Sequence, residues 1–241
     1  MSWFIDWFNS PYYHLLYKHR DQLEASAFID SLLINLQPKK SHRFLDLACG
    51  NGRHANYIAS KNYHIIGVDL SPENILTAQN NKVNDATFFV HDMRNYFRSN
   101  YFDFVLNLFT SFAYFDSEHD EIRAMQMAAN ALKKNGTLII DFFNAERLSH
   151  CIIPIEEKVI GDVKFTIQKK IENGYILKKI SINDQGKELI FQEKVRLLNQ
   201  QAFENLFEKS GLQLIETFGD YQMQSYHPMH SDRLILKAVK I

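Results

Sequence analysis

Residues 43–54 read Arg43-Phe44-Leu45-Asp46-Leu47-Ala48-Cys49-Gly50-Asn51-Gly52-Arg53-His54. Phe44, Leu45, Leu47 and Ala48 surround one carboxylate, two glycines follow, and a helical pattern runs from Arg53 to about Lys61. An apolar run, a glycine pair and then helical periodicity predict a buried strand, a tight turn and a helix. Glycines suit such a turn because a backbone without Cβ bends sharply and lets a ligand approach closely. A second strand is expected from Tyr63 to Val68, ending at Asp69. Asp69 stands about 20 residues beyond the turn, the usual reach of a carboxylate that grips a ribose diol.

Working downstream, Ser71-Pro72-Glu73 opens a capped helix to about Asn81. Thr87 to His91 reads as a third strand followed by Asp92, and Phe102 to Leu106 as a fourth followed by Asn107 and Leu108. Ser117 to Lys133 is expected to form a long helix, acidic in its first turn and basic in its last, stopped by Asn135-Gly136. Thr137 to Asp141 is a fifth strand, ahead of Phe142-Phe143-Asn144. Such alternation implies an α/β protein with a doubly wound, mostly parallel sheet. Polar groups gather just past the strands, at Gly50 to Gly52, Asp69, Asp92, Asn107 and Asn144. Open α/β sheets bind ligands at those carboxyl ends.

The pattern changes near residue 150. Ile152 to Ile160, Lys164 to Ile171, Tyr175 to Ile182 and Lys187 to Leu197 read as successive strands, with hairpin turns at Asn173-Gly174 and Asp184-Gln185-Gly186. This predicts an antiparallel β insertion over 145–198, between core segments 1–144 and 199–241. Between Lys164 and Arg196 stand eight Lys or Arg against four Asp or Glu, which reads as the solvated face of a half-buried sheet. A helix over Gln201 to Ser210 and strands over Leu212 to Phe218 and Arg233 to Val239 complete the chain.

Upstream, Trp3, Phe4, Trp7 and Phe8 crowd before Ser10-Pro11, a helix start that places Tyr13 and Tyr17 on one face. Asp21 to Glu24 resembles a capping box for a helix reaching Leu36, with Phe28, Leu32 and Leu36 as its apolar stripe. The aromatic arm either packs on the core or closes over the glycine turn.

The chain has 241 residues, 46% of them hydrophobic, with 27 Lys or Arg against 28 Asp or Glu. A near-neutral balance disfavours a dedicated nucleic-acid binder. Two distant cysteines, Cys49 and Cys151, suggest a reduced, cytoplasmic chain and no disulfide scaffold. A signal peptide and a membrane span are not expected.

Asp46-Leu-Ala-Cys-Gly50-Asn-Gly52, Gly67-Val-Asp69-Leu-Ser71, His91-Asp92-Met93 and Leu132-Lys-Lys-Asn-Gly136, in that order, resemble the class I S-adenosylmethionine-dependent methyltransferases. The similarity covers roughly residues 42 to 144, and the Asp-Leu-Ala-Cys-Gly-x-Gly form with an antiparallel insertion after the fifth strand is similar to small-molecule members. It implies a Rossmann-like seven-stranded sheet of order 3-2-1-4-5-7-6, and S-adenosylmethionine as cofactor with S-adenosylhomocysteine as product. Many members carry glycine where Ala48 stands. Residue by residue, the resemblance implies that Asp46, Ala48 and the Gly50 to Gly52 backbone hold the methionine part. Asp69 would accept both ribose hydroxyls with Leu70 on adenine, and Asp92 the adenine amino group beside Met93. Asn107 and Leu108 would sit near the methyl group, and Tyr13, Tyr17 and Arg20 would hold the carboxylate or close the site. The residues agree on one point independently: a third glycine is absent, as it would not be in a pyrophosphate cradle.

The implied reaction is methyl transfer to an N or O nucleophile of a small molecule by in-line displacement. Proximity and alignment alone contribute up to about 7–11 kcal/mol in such chemistry. The alternatives are a nucleic-acid or protein methyltransferase using the basic hairpins, and a non-catalytic cofactor-binding module. His91, His119, His150, His227 and Tyr114 are candidate bases with none singled out. His227-Pro-Met-His230 lacks a third ligand, so no metal is expected. Phe109, Phe112, Tyr114, Phe115, Phe142 and Phe143 are candidates for the substrate wall. The insertion is a candidate substrate cap or homodimer contact.

Overall fold

The computed structural model describes residues 3–17, 22–115 and 117–241. In chain order the elements are α1 (Trp3–Phe8), α2 (Pro11–Leu16), α3 (Gln22–Leu36), β1 (Arg43–Leu47), α4 (Arg53–Ser60), β2 (His64–Asp69), α5 (Pro72–Asn80), β3 (Thr87–Val90) and β4 (Phe102–Asn107). They continue with α6 (Glu118–Ala131), β5 (Leu132–Phe143), α7 (Ala145–His150), β6 (Ile155–Ile160), β7 (Val163–Glu172), β8 (Tyr175–Asp184), β9 (Lys187–Arg196), α8 (Gln200–Glu208), β10 (Leu212–Phe218) and β11 (Arg233–Lys240).

One sheet has the order β10-β11-β5-β4-β1-β2-β3. That is the expected 3-2-1-4-5-7-6, with β11 antiparallel to both neighbours and the other pairings parallel. Its central strands are buried on both faces, so their apolar residues alternate between two cores. Leu45, Val105, Leu138 and Leu236 face the side covered by α6 and α8. Phe44, Phe104, Ile139 and Ile235 face α3, α4 and α5. Phe44 and Phe104 are register partners whose rings stack at 4.8 Å.

The second sheet, β6-β7-β8-β9, is antiparallel throughout. Asn173 and Gly174 both take positive φ in the β7–β8 turn, as do Gln185 and Gly186 in the next. Arg196 fastens this sheet to the core. Its guanidinium meets the buried Glu121 of α6 at 2.6 Å, and its backbone N–H donates to the Ala113 carbonyl.

Two local expectations are corrected. The sixth helix stops at Ala131, because Leu132 is already extended and pairs with Phe102. Asn135, at φ 63°, and Gly136 therefore turn the irregular start of β5 rather than ending a helix. The segment after Asn144 is helical, since the Asn144 side chain accepts from the Glu146 and Arg147 N–H groups, and β6 begins only at Ile155. The aromatic arm packs on the second sheet: Trp7 and Leu16 share a cluster with Val163, Phe165, Ile167, Ile180 and Ile182. Ser10 does cap α2, with Pro11 in its first turn. The capping-box residue Asp21 lies outside the described residues.

Candidate active site

A cavity of about 1120 Å³ opens where the carboxyl ends of β1, β2 and β4, the arm and the second sheet meet. Single small-ligand sites occupy about 300–1,000 Å³, so there is room for two molecules side by side.

Its floor is the turn after β1. Ala48 at φ 59°, Gly50 at φ 55° and Gly52 at φ 79° all take left-handed backbone. Nothing stands within 4 Å of a Cβ built on Gly50, which lines the cavity. A Cβ on Gly52 would meet Phe88 at 2.8 Å and Ala78 at 2.9 Å, so Gly52 serves the close approach of α4 to the sheet. Asp69 holds the turn shut: its two carboxylate oxygens accept from the Gly50 and Ser71 N–H groups, each at 2.9 Å. Burial raises the Asp69 pKa in spite of these bonds.

Asp46 is 1% exposed, and its Oδ2 has no hydrogen-bond partner in the protein. Burial, with the Asp69 charge adding to it and Arg53 opposing, pushes its pKa up to about 8. His54, on the first turn of α4, stacks on Phe109 at 4.9 Å and leaves Nε2 without a protein partner. Burial and the neighbouring Arg53 bring it down to about 3, so it is a neutral imidazole. Arg53 itself lies over the Phe109 ring at 4.6 Å.

Past β3, Asp92 is clasped by Arg94, whose Nη2 reaches Oδ2 at 2.6 Å. Burial opposes ionisation there, but the Arg94 bonds outweigh it and hold the carboxyl below its ordinary value. Past β4, Phe109 and Thr110 both sit at φ 59°. Side chains with a Cβ rarely adopt that backbone without being held. The clamp is Asp141 at the end of β5, fully buried, which accepts from the Phe109 N–H at 2.9 Å and pairs with Arg233 at 2.7 Å. Arg233 also donates to Thr110 Oγ1 at 3.0 Å.

The opposite wall comes from the arm and the second sheet. Phe8, Tyr13 and Tyr17 line it, with Phe8 edge-on to both Tyr13 and Tyr114. Trp7 Nε1 and the Tyr17 hydroxyl both donate to Glu193 Oε1. Lys178 meets the other Glu193 oxygen at 2.7 Å. The hydroxyl of Ser71 donates to Asn9, joining the arm to the Asp69 loop.

Residues 44–136, from β1 to the turn at the start of β5, are the part of the chain that matches a methyltransferase domain. The chain is 28% identical over 132 residues to a dTDP-3-amino-3,4,6-trideoxy-alpha-D-glucopyranose N,N-dimethyltransferase of Streptomyces venezuelae, a match spanning 54% of each chain. It is 25% identical over 250 residues to a glycine/sarcosine N-methyltransferase of Aphanothece halophytica, spanning 98% of this chain and 89% of that one. In fold it resembles the crystal structure of an S-adenosylmethionine-dependent methyltransferase from Clostridium acetobutylicum, with a TM-score of 0.79 at 19% identity, covering 95% and 96% of the two chains.

The cavity suits S-adenosylmethionine, the cofactor that the sequence resemblance implies. S-adenosylmethionine offers an ammonium, a ribose diol and an adenine amino group, all donors, and carries a sulfonium charge. Asp46, Asp69 and Asp92 line the cavity as acceptors, and Asp46 Oδ2 is a buried acceptor still to be satisfied. Leaving such an atom unmet costs about 1–3 kcal/mol or more, which a bound donor recovers.

The structure brings Tyr13, Tyr17, Asp46, Ala48, Gly50, Asp69, Leu70, Asp92, Met93 and Leu108 to this one cavity. Gly52 and Asn107 stand off it. Asn107 is 2% exposed, and its Nδ2 donates to the Leu47 carbonyl, tying β4 to β1. Arg20 lies outside the described residues. Of the aromatic candidates, Phe109, Tyr114, Phe115 and Phe143 reach the cavity, whereas Phe112 and Phe142 pack in the core against Phe203. His227 and His230 stack with ring centres 4.5 Å apart, and no metal-holding group of three His, Cys, Asp or Glu occurs among the described residues. Among the described residues, no helix is long and apolar enough to cross a membrane.

Sequence reasoning passed over His54, Arg233, Lys169 and Lys178 as cavity residues. His54 carried a weak signal, as a polar residue at the second position of the helix after the glycines. Arg233 carried none, being about 90 residues from the Asp141 that positions it.

Proposed function

We propose that this protein methylates the nitrogen of a small-molecule amine. The observation that carries the reading is the unsatisfied Asp46 carboxylate beside Asp69, at one end of a cavity whose other end is walled by aromatic residues of the arm and second sheet. The first end suits S-adenosylmethionine, and the second leaves room for an acceptor of modest size. Nitrogen is favoured over oxygen because both curated relatives described above are named as N-methyltransferases. The outward lysines of the second sheet, Lys170 and Lys179, lie away from the cavity, which supports a small acceptor over a nucleic acid.

When bound, S-adenosylmethionine supplies a methyl group on a sulfonium that a nitrogen lone pair can displace. In this reading Asp69 receives the ribose hydroxyls, Asp46 faces the amino-acid ammonium and Met93 and Leu70 flank the adenine. The clamped Phe109–Thr110 backbone fixes the cavity where the two ligands meet. The aromatic wall excludes water and holds the amine in line, where alignment rather than acid–base chemistry carries most of the acceleration. The amine enters deprotonated or loses its proton to solvent.

The test is methyl transfer from labelled S-adenosylmethionine to panels of amines, carboxylic acids and phenols. Product from amines, with S-adenosylhomocysteine formed in equal amount, is expected. Turnover of hydroxyl acceptors alone, or no binding of S-adenosylhomocysteine by calorimetry, would overturn it.

A further inference from the structure

The inner face of the second sheet is largely apolar along β7 and β8, with Glu156 and Lys158 of β6 and Asp184 at the end of β8 as its polar margin. Alternate residues of β7 and β8, Val163, Phe165 and Ile167 with Ile176, Ile180 and Ile182, are buried there. Lys169 of β7, Lys178 of β8 and Glu193 of β9 interrupt them. Lys169 is the register partner of Lys178, and Lys178 of Glu193, so the three form a line across three strands. All three border the cavity.

Two lysines directly opposite each other on adjacent strands repel. Inward charges are a known device for protecting sheet edges, but β7 and β8 are the central strands of this sheet. The row is instead ion-paired at both ends. Glu156 meets Lys169 Nζ at 2.7 Å, and Glu193 meets Lys178 Nζ at 2.7 Å. The lysine side chains are 20% and 22% exposed, so their ammonium groups act in a partly desolvated wall where charge interactions are strengthened. Each ammonium carries three N–H donors, and the Glu156 pairing engages one donor of Lys169.

We infer that Lys169 and Lys178 bind an acid group of the methyl acceptor, so that the substrate is an amine bearing a carboxylate or a phosphate. This rests on the amine reading above and adds the second functional group. The acid docks on the lysine row, and the amine points past Tyr114 and Phe115 toward the cofactor end of the cavity. The neighbouring lysines Lys170 and Lys179 play no part, since period-two alternation turns them outward.

The test compares matched acceptors: glycine, β-alanine and 4-aminobutyrate against their amides, and O-phosphoethanolamine against ethanolamine. With the wild-type protein the acid members are expected to be methylated with kcat/KM at least about tenfold higher, the effect of one charge-assisted contact. Whichever pair shows the preference identifies carboxylate or phosphate. Lys169→Gln should pull that ratio toward one through KM, with S-adenosylhomocysteine affinity by calorimetry reporting an intact cofactor end. Lys169→Gln is the safer variant, because Glu156 keeps Lys158 at 3.1 Å, whereas Lys178→Gln leaves Glu193 buried without its cation. Competition of wild-type turnover by glutarate but not glutaramide gives a readout without any substitution. Equal turnover of acids and their neutral partners, or an unchanged ratio in Lys169→Gln, overturns the lysine row and leaves the amine reading standing. Absence of turnover on every amine overturns both.

Discussion

Asp46→Asn tests the heart of the site, because it separates what the buried carboxylate costs from what it does. In the folded protein without ligand, Asp46 titrates near 8 against an ordinary value of 3.8. The folded state therefore holds a proton that the unfolded state has lost between those two values. Stability falls as pH rises across that window, by about 1.4 kcal/mol per pH unit at most. At pH 7 the accumulated cost is about 2–4 kcal/mol, and asparagine does not pay it. Against this, a buried amide that finds no acceptor loses about 1–3 kcal/mol, so the net sign at one pH is a close contest. The pH dependence is not. Urea unfolding of both proteins at intervals from pH 5 to 8.5, without cofactor, should show the wild type losing stability relative to Asp46→Asn steadily up to about pH 8. Calorimetry with S-adenosylhomocysteine should show the variant binding more weakly by about 1.5–3 kcal/mol, the scale of a lost charge-assisted hydrogen bond. A stability difference that stays flat with pH, or full affinity in the variant, would refute the account of Asp46.

Three further outcomes are expected. Gly50→Ala and Gly52→Ala should part company: the first costs about 1–2 kcal/mol of left-handed strain yet places a methyl in the cavity, so cofactor affinity falls while the protein still folds. The second adds a clash with Phe88 and Ala78 and should unfold at clearly lower denaturant concentration. Asp69→Ala removes the tie to the Gly50 N–H as well as the proposed ribose acceptor, and should weaken S-adenosylhomocysteine binding by about 1.5–3 kcal/mol. Unchanged affinity by calorimetry contradicts the ribose placement. Arg233→Met leaves the fully buried Asp141 without its cation and should destabilise by about 3–5 kcal/mol, with a loss of turnover as the Phe109–Thr110 backbone relaxes. A melting temperature within a degree of wild type would show that the clamp is dispensable.

The strands of the sheet were legible in the chain because each is written locally, whereas their order was implied only by the family resemblance. A buried strand such as Phe44 to Leu47 shows as an apolar run, and a strand-end carboxylate such as Asp69 or Asp92 follows its strand directly in sequence. The glycine-turn end of the cavity is built from such adjacent pieces, so most of its lining could be named in advance. Ala48 shows the same logic: its φ of 59° is the conformation that makes glycine common at that place in the family it resembles.

The end walled by the arm and the second sheet is different, because its parts meet only through long-range packing. Asp141 and Arg233 come together across antiparallel strands, and Trp7 reaches Glu193 over 186 residues. The basic hairpins looked like one solvated surface in sequence. Strand periodicity divided them, and the packing of the arm against the second sheet decided which face became interior, turning Lys169 and Lys178 toward the cavity. The sequence by itself determined a parallel sheet with a glycine turn and three carboxylates at its strand ends, since each is a pattern of near neighbours. Which side chains of the second sheet face the cavity was decided only by the tertiary structure, because a strand's two faces are chemically interchangeable until something packs on one of them.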